Sequence, residues 1–285
     1  MDALLAQAVP WYLAALVGGF ALAALAETWW PWRPMNGALA PRWSLNLGLH
    51  VCNQGLFALL LPVGLVGGAL LARDRGWGLL NLLGLEGMVA ILLSVLALDL
   101  ARYLIHLAAH RVGWLWRLHR VHHSDEAYDC TLALRFHPLE ALLTAGGMIL
   151  LVMGLGLSPL GVLILDVAAI ALGFFAHGNL ALPRRLETAL GRVLVTPAIH
   201  RLHHSADPRQ ARANLASVFS FWDRLFGTAL APQASRDADL VFGLASPSPR
   251  SFIALLCMPW HAPSAIQTHA RIHPIQSGKP SRLPT

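Results

Sequence analysis

The chain has 285 residues, of which 56% are hydrophobic and only 13% are charged, and its net charge is +6 with histidine counted as neutral. Soluble domains carry about 25% charged residues, so this composition excludes a water-soluble enzyme, a largely disordered chain and a small secreted fold held by disulfides. The first 72 residues contain only four charged side chains: Asp2, Glu27, Arg33 and Arg42. The sequence therefore predicts an all-α polytopic membrane bundle.

Five apolar segments are long enough to cross a bilayer, at residues 11–27, 44–72, 86–110, 139–157 and 159–177. Acidic Asp2 stands where a signal peptide has its basic region, so we expect the first span to be retained. The tryptophans of the following WWPWRP stretch suit the headgroup zone of a membrane. The tight turn at residues 156–159 predicts a helical hairpin that returns to the side it left.

The sequence predicts three parts of the chain. Residues 1–85 form N-terminal transmembrane helices, 86–230 a catalytic domain, and 231–285 a Pro-rich, largely flexible tail that contains eight of the 18 prolines. Within this plan 183–230 is polar, Arg-rich and helix-compatible. The short apolar run 251–258 is expected to lie on the membrane surface.

Arginine positions predict the orientation in the membrane. Eleven arginines lie in the segments 111–137 and 183–230, whereas the opposite loop carries only Arg73 and Arg75. Positive charge stays on the cytoplasmic side, so we expect both segments to be cytoplasmic and to form a cap on the bundle. The basic side chains flank membrane segments, which argues against a nucleic-acid partner.

Fourteen histidines are present, and most of them are clustered. HLAAH places two histidines at i and i+4 of a helix, HRVHH and HRLHH add three each, and RFHPLE and FAHGN add one each. The ten clustered residues are His106, His110, His119, His122, His123, His137, His177, His200, His203 and His204. Because the hairpin is expected to return to its starting side, all ten can converge at one membrane face.

These histidine spacings are typical of metal sites, since neutral imidazole binds iron, zinc, copper and nickel. HxxHH on a helical turn offers donors at i, i+3 and i+4, which we expect to share one face. Without His137 the clusters supply nine nitrogens, more than one ion can use, so the count predicts two metal ions. The remaining histidines are expected to be ordinary surface or packing residues: His50, His261, His269 and His273. The scattered Cys52, Cys130 and Cys257 support no zinc-thiolate site.

The stretches DLARYLIHLAAH, LWRLHRVHHS, LALRFHPLE, FAHGN and VTPAIHRLHHS, followed by FWDRLFGT, resemble the fatty acid hydroxylase/sterol desaturase superfamily of membrane non-haem di-iron enzymes. The resemblance covers roughly residues 90–230. It implies that two iron ions are held by His106, His110, His119, His122, His123, His177, His200, His203 and His204. His137 is implied as a ligand or as a donor behind the ligands. Asn214-Leu215-Ala216 stands where family members often have Asn-Tyr-Gly, so this loop is expected to pack differently.

Two carboxylates inside predicted spans are candidate site residues, because a charge in a span is costly and usually functional. Asp99 is expected to orient a histidine or to pair with Arg102. Asp166 lies eleven residues before His177 and within about 20° of its helix face. We expect it to anchor a substrate cavity or to pair, protonated, with a neighbouring helix.

Other polar residues lie beside the histidine motifs. Glu140 and Asn179 are candidates for contacts behind the metal ligands. Asp125, Glu126 and Asp129 are expected to form a solvated loop instead. The WDR tripeptide of FWDRLFGT is expected to fasten the cap.

The resemblance implies an O2-dependent oxidoreductase acting on a lipid C–H bond. Return of a hydroxyl to the carbon that has lost hydrogen gives an alcohol, and loss of a second hydrogen gives a double bond. Sterol, carotenoid, fatty acyl, sphingoid and ether-lipid substrates all occur in the resembling family. Two alternatives stay open: a membrane di-haem electron carrier, and a zinc-dependent hydrolase or transporter, although no HExxH is present. Zinc is also expected to replace iron in some preparations.

Each O2 cycle needs two electrons from outside. The sequence contains no GxGxxG followed by an acidic residue and no cysteine set for an iron–sulfur cluster. A separate donor is therefore expected, a ferredoxin or a small cytochrome with its reductase. An acidic carrier of this kind would be steered to the Arg-rich cap by charge.

Overall fold

A computed structural model describes residues 4–261 except 6, 36–38 and 233–239. Over these residues the chain is helical, and extended pairing is limited to three isolated bridges. The prediction of an all-α helical membrane bundle is confirmed. His269, His273 and most of the predicted tail lie outside the described residues.

In chain order, the helices are α1 (Ala8–Trp29), α2 (Leu39–Leu60), α3 (Gly64–Arg75), α4 (Leu79–Leu82), α5 (Gly87–Arg111), α6 (Gly113–His119), α7 (Pro138–Leu155), α8 (Pro159–Ala176), α9 (Arg184–Leu190), α10 (Pro197–His203), α11 (Phe221–Leu225) and α12 (Phe252–Cys257). Single 3₁₀ turns occur at His122–Ser124, Cys130–Leu134 and Met258–Trp260. Helix α1 contains one π-helical turn at Ala14–Gly18.

Five helical stretches of the described chain are long and apolar enough to cross a membrane: α1, α2–α4, α5, α7 and α8. The chain is thus a multi-pass membrane protein, as the composition predicts. The second stretch is longer than predicted and is interrupted after Leu60, next to Pro62, which has no N–H to donate. Helix α3 then continues to Arg75, where Gly76 adopts a left-handed cap with φ 66°.

The predicted hairpin is present between α7 and α8. Proline opens each helix, at Pro138 and Pro159, where a missing N–H costs nothing. Gly156 closes α7 with φ 64°. A Cβ on Gly78 would collide with the backbone N of Gly156, so only glycine lets the α3–α4 turn approach this end of the hairpin.

The bundle core lies where α5, α3 and the hairpin meet, around buried Ala69, Leu98, Val152 and Leu165. Helix α5 extends beyond this core, so its last turns enter the cap. The cap consists of α6, α9–α11 and the 3₁₀ turns. Its short helices differ from a continuous helical segment over 183–230.

The described part of the predicted tail, 240–261, is packed against the cap rather than loose. Leu255 is fully buried beside Leu49 and Val121. Arg120 donates to the carbonyls of Met258 and His261, and Arg117 Nε donates to Pro259 O at 2.7 Å. These residues form a strap across the turn that carries HRVHH.

Candidate metal centre

Nine of the ten clustered histidines meet in two adjacent groups. Cluster A contains His106, His110, His119, His123 and His203, and cluster B contains His122, His177, His200 and His204. Within each cluster one nitrogen per residue lies within 4.8 Å of all the others. The clusters share a wall, since the rings of His123 and His204 stack with centroids 4.5 Å apart.

Each HxxHH motif is divided between the clusters. His119 and His123, at i and i+4, enter cluster A, whereas His122 at i+3 enters cluster B. The second motif is reversed, with His203 alone entering cluster A. The expectation that all three donors share one face is therefore wrong. His119 ends α6, and His122 and His123 lie in the 3₁₀ turn that follows, so these side chains do not continue one α-helical face.

Imidazole nitrogens point at one another inside both clusters. In cluster A, His106 Nε2 lies 3.1 Å from His119 Nε2. In cluster B, His177 Nε2 lies 3.2 Å from His122 Nε2 and 2.9 Å from His200 Nε2. Such contacts place electron pairs face to face unless a cation lies between them.

Contacts on the outer nitrogens fix this arrangement. His106 Nδ1 donates to Leu215 O at 2.8 Å, and His177 Nδ1 donates to Gly173 O at 2.8 Å. His203 Nδ1 donates to Ala213 O at 3.0 Å. Since a neutral ring carries one proton, each Nε2 then presents a lone pair. This tautomer is the one required for metal binding through Nε2.

Several buried nitrogens have no hydrogen-bond partner among the described residues, which is costly for a polar atom. They include His110 Nε2, His123 Nε2 and His203 Nε2 in cluster A, and His200 Nδ1 in cluster B. A cation in cluster A would satisfy its three unpartnered Nε2 atoms, whereas His200 turns its Nε2 toward His177 and His204 inside cluster B. The residues therefore fit a pair of metal ions on structural grounds.

Burial keeps the cap histidines in the neutral form that binds metals. It lowers the pKa of His177 to about 4 and that of His203 to about 3. The pKa values of His122, His123 and His204 are also well below the usual value, first because of burial and then because of neighbouring histidines.

Glu140 is the carboxylate that contacts a clustered histidine. Its Oε1 lies 2.6 Å from His119 Nδ1, at the first turn of α7. A carboxylate in this position fixes the ring and raises its basicity as a ligand. The structure thus places Glu140 behind cluster A.

Asp99 bonds neither a histidine nor Arg102 among the described contacts. It accepts from Phe219 N at 3.0 Å and from Trp222 Nε1 at 2.9 Å, which ties the FWDRLFGT segment to α5. Asp223 in turn accepts from Leu215 N at 2.7 Å, and Leu215 O is the partner of His106. Asp99 therefore supports cluster A through the backbone of this segment.

Three further predicted residues lie outside both clusters. His137 caps α7 by accepting from Leu139 N, and its Nε2 donates to Leu256 O at 3.0 Å, so both ring nitrogens are used. Asn179 bonds the backbone of Arg33 through both side-chain atoms. Asp166 pairs with Arg102 across α8 and α5.

The segment after HRVHH was predicted to be a solvated loop, and for Asp125 and Asp129 this is wrong. Both are buried and pair with Arg42, while Asp129 also accepts from Trp43 Nε1 at 3.0 Å. Of the three acidic residues, only Glu126 is exposed. The available signal for this network was that acidic and basic residues occur together around HRVHH, although the chain as a whole contains few charged residues.

Sequence reasoning missed two residues that support the clusters. Arg135 is 1% exposed, and its guanidinium donates hydrogen bonds to Val121 O, Asn46 Oδ1 and Ser124 Oγ. Its backbone carbonyl accepts a hydrogen bond from His122 Nδ1. Tyr128 is also buried, with its ring 5.5 Å from that of His204. Neither residue carries a local spacing that distinguishes it.

Fold and site together define a class: multi-pass membrane proteins whose helical cap holds two adjacent polyhistidine clusters. The family model described as fatty acid hydroxylase matches residues 91–228. This segment belongs to the fatty acid hydroxylase family, which confirms the resemblance found in the motifs.

Curated relatives carry related names. The chain is 32% identical over 159 residues to alkylglycerol monooxygenase of Danio rerio, which covers 54% of this chain and 33% of the relative. Alkylglycerol monooxygenase of Xenopus tropicalis is 28% identical, over 71% of this chain and 44% of the relative. Cholesterol 25-hydroxylase of Rattus norvegicus is 31% identical, over 51% of this chain and 49% of the relative. The chain thus spans less than half the length of each of these relatives. No solved structure gives a significant match.

Proposed function

We propose that this protein is an O2-dependent di-iron oxidoreductase that hydroxylates or desaturates a lipid C–H bond. The observation that carries the proposal is the pair of adjacent histidine clusters with facing Nε2 lone pairs. Membership of 91–228 in the fatty acid hydroxylase family supports the reaction type. The membrane-spanning helices support a lipid as the substrate.

The nine clustered histidines would hold one ion in cluster A and one in cluster B. Iron in such a pair supplies the capacity to reduce O2 and to take hydrogen from an unactivated carbon. The protein's residues set the conditions for this chemistry. Glu140 and the carbonyls of Leu215, Arg135 and Gly173 hold the rings in one tautomer, and the cap excludes water from cluster B.

The names of the relatives favour an ether lipid or a sterol among the substrate classes of the family. Both names describe addition of oxygen, so hydroxylation is the favoured outcome over desaturation. Asp166, in its pair with Arg102, stays a candidate for a polar anchor below the clusters. His137 and Asn179 are assigned supporting roles in the cap rather than contact with substrate.

The geometry does not favour a di-haem carrier. Ring centroids of histidines within one cluster lie as close as 4.2 Å, between His177 and His200, and this spacing leaves no room for a porphyrin. A zinc enzyme would use the same ligands. Oxygen-dependent formation of product separates iron from zinc function.

The external electron donor is proposed to be a ferredoxin or a small cytochrome, docking on the arginines of the cap. These arginines also support a cytoplasmic location for the clusters. Cysteine-accessibility labelling at Ala127 and Arg209, in variants where each is replaced by Cys, should report the same membrane side. Labelling from opposite sides would contradict the orientation.

The full chain purified in detergent tests the function. With iron, a reducing system and an alkylglycerol or a sterol, we expect an oxidised lipid that contains oxygen from labelled O2 and two irons per chain. His122→Ala and His203→Ala should abolish the product and lower bound iron. His261→Ala, outside both clusters and exposed, is the matched control. Full activity in either cluster variant, or turnover without reductant, would contradict the proposal.

A further inference from the structure

One cavity among the described residues reaches cluster A. It has a volume of about 690 Å³ and is lined by His110 and His123 at one end. A larger cavity of about 880 Å³ contacts none of the nine histidines. A molecule oxidised at the metal centre must reach it, and the cavity of about 690 Å³ gives access to two of its histidines.

This cavity is strongly basic. Arg111, Arg117 and Arg212 line it, and none of its described lining residues is a carboxylate. Arg117 is held by the strap, since its Nε donates to Pro259 O at 2.7 Å. Arg111 and Arg212 are exposed residues at the mouth. Arginine side chains arranged in this way match the oxygens of a phosphate or a carboxylate.

Two tryptophans connect the arginines to the histidines. The Trp116 ring lies 5.1 Å from that of His110 and 5.5 Å from that of His123, so it forms a wall of the path to cluster A. Trp114 is 59% exposed at the mouth. Tryptophan with arginine is the combination found at the boundary between lipid tails and headgroups.

Together these residues indicate a class of substrate, and this inference rests on the proposed function. We infer that the cavity binds an anionic amphiphile, with a phosphate or carboxylate head on Arg111 and Arg212 and with a carbon close to that head facing cluster A. Arg111 directly follows His110 in the chain, and both line one cavity. A head bound at Arg111 would therefore occupy the same cavity that reaches His110.

Binding without turnover tests this inference. The probes are tritium-labelled hexadecylglycerol phosphate and uncharged hexadecylglycerol, added to the full chain in neutral detergent. We expect the charged probe to bind about tenfold more tightly. Arg111→Gln and Arg212→Gln should each lower its affinity about tenfold and leave the uncharged probe unchanged. Arg75→Gln, at the other end of the bundle, is the matched control.

Equal affinity for the two probes would overturn the inference. If a Gln variant loses binding of both probes, the matching Arg111→Lys or Arg212→Lys variant, which keeps the positive charge, is measured as well. Failure of the Lys variant to restore the preference for the charged probe would also overturn the inference. Oxidation of the uncharged probe and iron content report the proposed function separately. If they persist without a charge preference, only this inference falls. If the charged probe binds but no iron binds and no probe is oxidised, the anion site stands and the proposed function falls.

Discussion

Clusters A and B lie side by side but differ in ligand number and in access. Cluster A has five histidines, two of which line the basic cavity. Cluster B has four, none of which lines either of the two cavities described above, and Tyr128 packs against His177 on one side of it. Two similar HxxHH motifs thus contribute to unequal sites, of which cluster A is open to the basic cavity and cluster B is enclosed.

The largest expected effect comes from removing one ligand from each cluster. His200→Ala leaves cluster B with only three histidines, so bound iron should fall from about two to about one per chain. His110→Ala leaves four in cluster A, so its loss of bound iron should be smaller. Elemental analysis of the purified variants measures the ratio. Equal iron loss in both variants would remove the distinction between the clusters.

Glu140→Gln should act on cluster A alone. The change removes the carboxylate that accepts from His119 Nδ1, and loss of such a partner typically costs 10–100-fold in metal affinity. Competition with a chelator measures this affinity for each ion. Glu126→Gln is the matched control, because that exposed side chain accepts only from Ser248 N among the described contacts. A similar loss at cluster B would show that the clusters do not bind independently.

Asp99→Ala should have an intermediate effect. It leaves the N–H groups of Phe219 and Trp222 without their acceptor, which costs about 1–3 kcal/mol. Because the same segment positions Leu215 for His106, cluster A should be disturbed more than cluster B. Thermal unfolding in detergent gives the stability change, and Asp74→Ala, at an exposed position in the last turn of α3, serves for comparison. An unchanged midpoint would rule out the anchoring role.

The smallest expected effects come from two tyrosines: Tyr128, whose ring contacts cluster B, and Tyr103, which lies one turn of α5 before His106 of cluster A. Tyr128→Phe removes a hydrogen bond to Ala176 O, and Tyr103→Phe removes one with Thr228 Oγ1. Each should cost about 1 kcal/mol. Iron release from cluster B should accelerate only in the first variant, and from cluster A only in the second. The reverse pattern would contradict the assignment of Tyr128 to the enclosed site.

Much of the bundle was predictable because it depends on local pattern. Apolar length gave the spans, Gly156 and Pro159 gave the hairpin, and the i, i+4 spacing placed His106 and His110 together on α5. The hairpin also explains why His177 returns to the other histidines. The break beside Pro62 and the later end of α3 at Arg75 were less predictable, since helix ends depend on neighbouring helices.

The sequence by itself determined the membrane class, the number of candidate ligands and the expectation of two metal ions. Only the tertiary structure decided that His122 and His123 serve different clusters, that Asp125 and Asp129 are buried against Arg42, and that the strap 240–261 covers HRVHH. The physical reason is that periodicity states which residues share a face of one helix. It does not state which faces of distant segments meet, because that depends on packing and hydrogen bonding between residues up to 207 positions apart, as for Arg33 and Leu240.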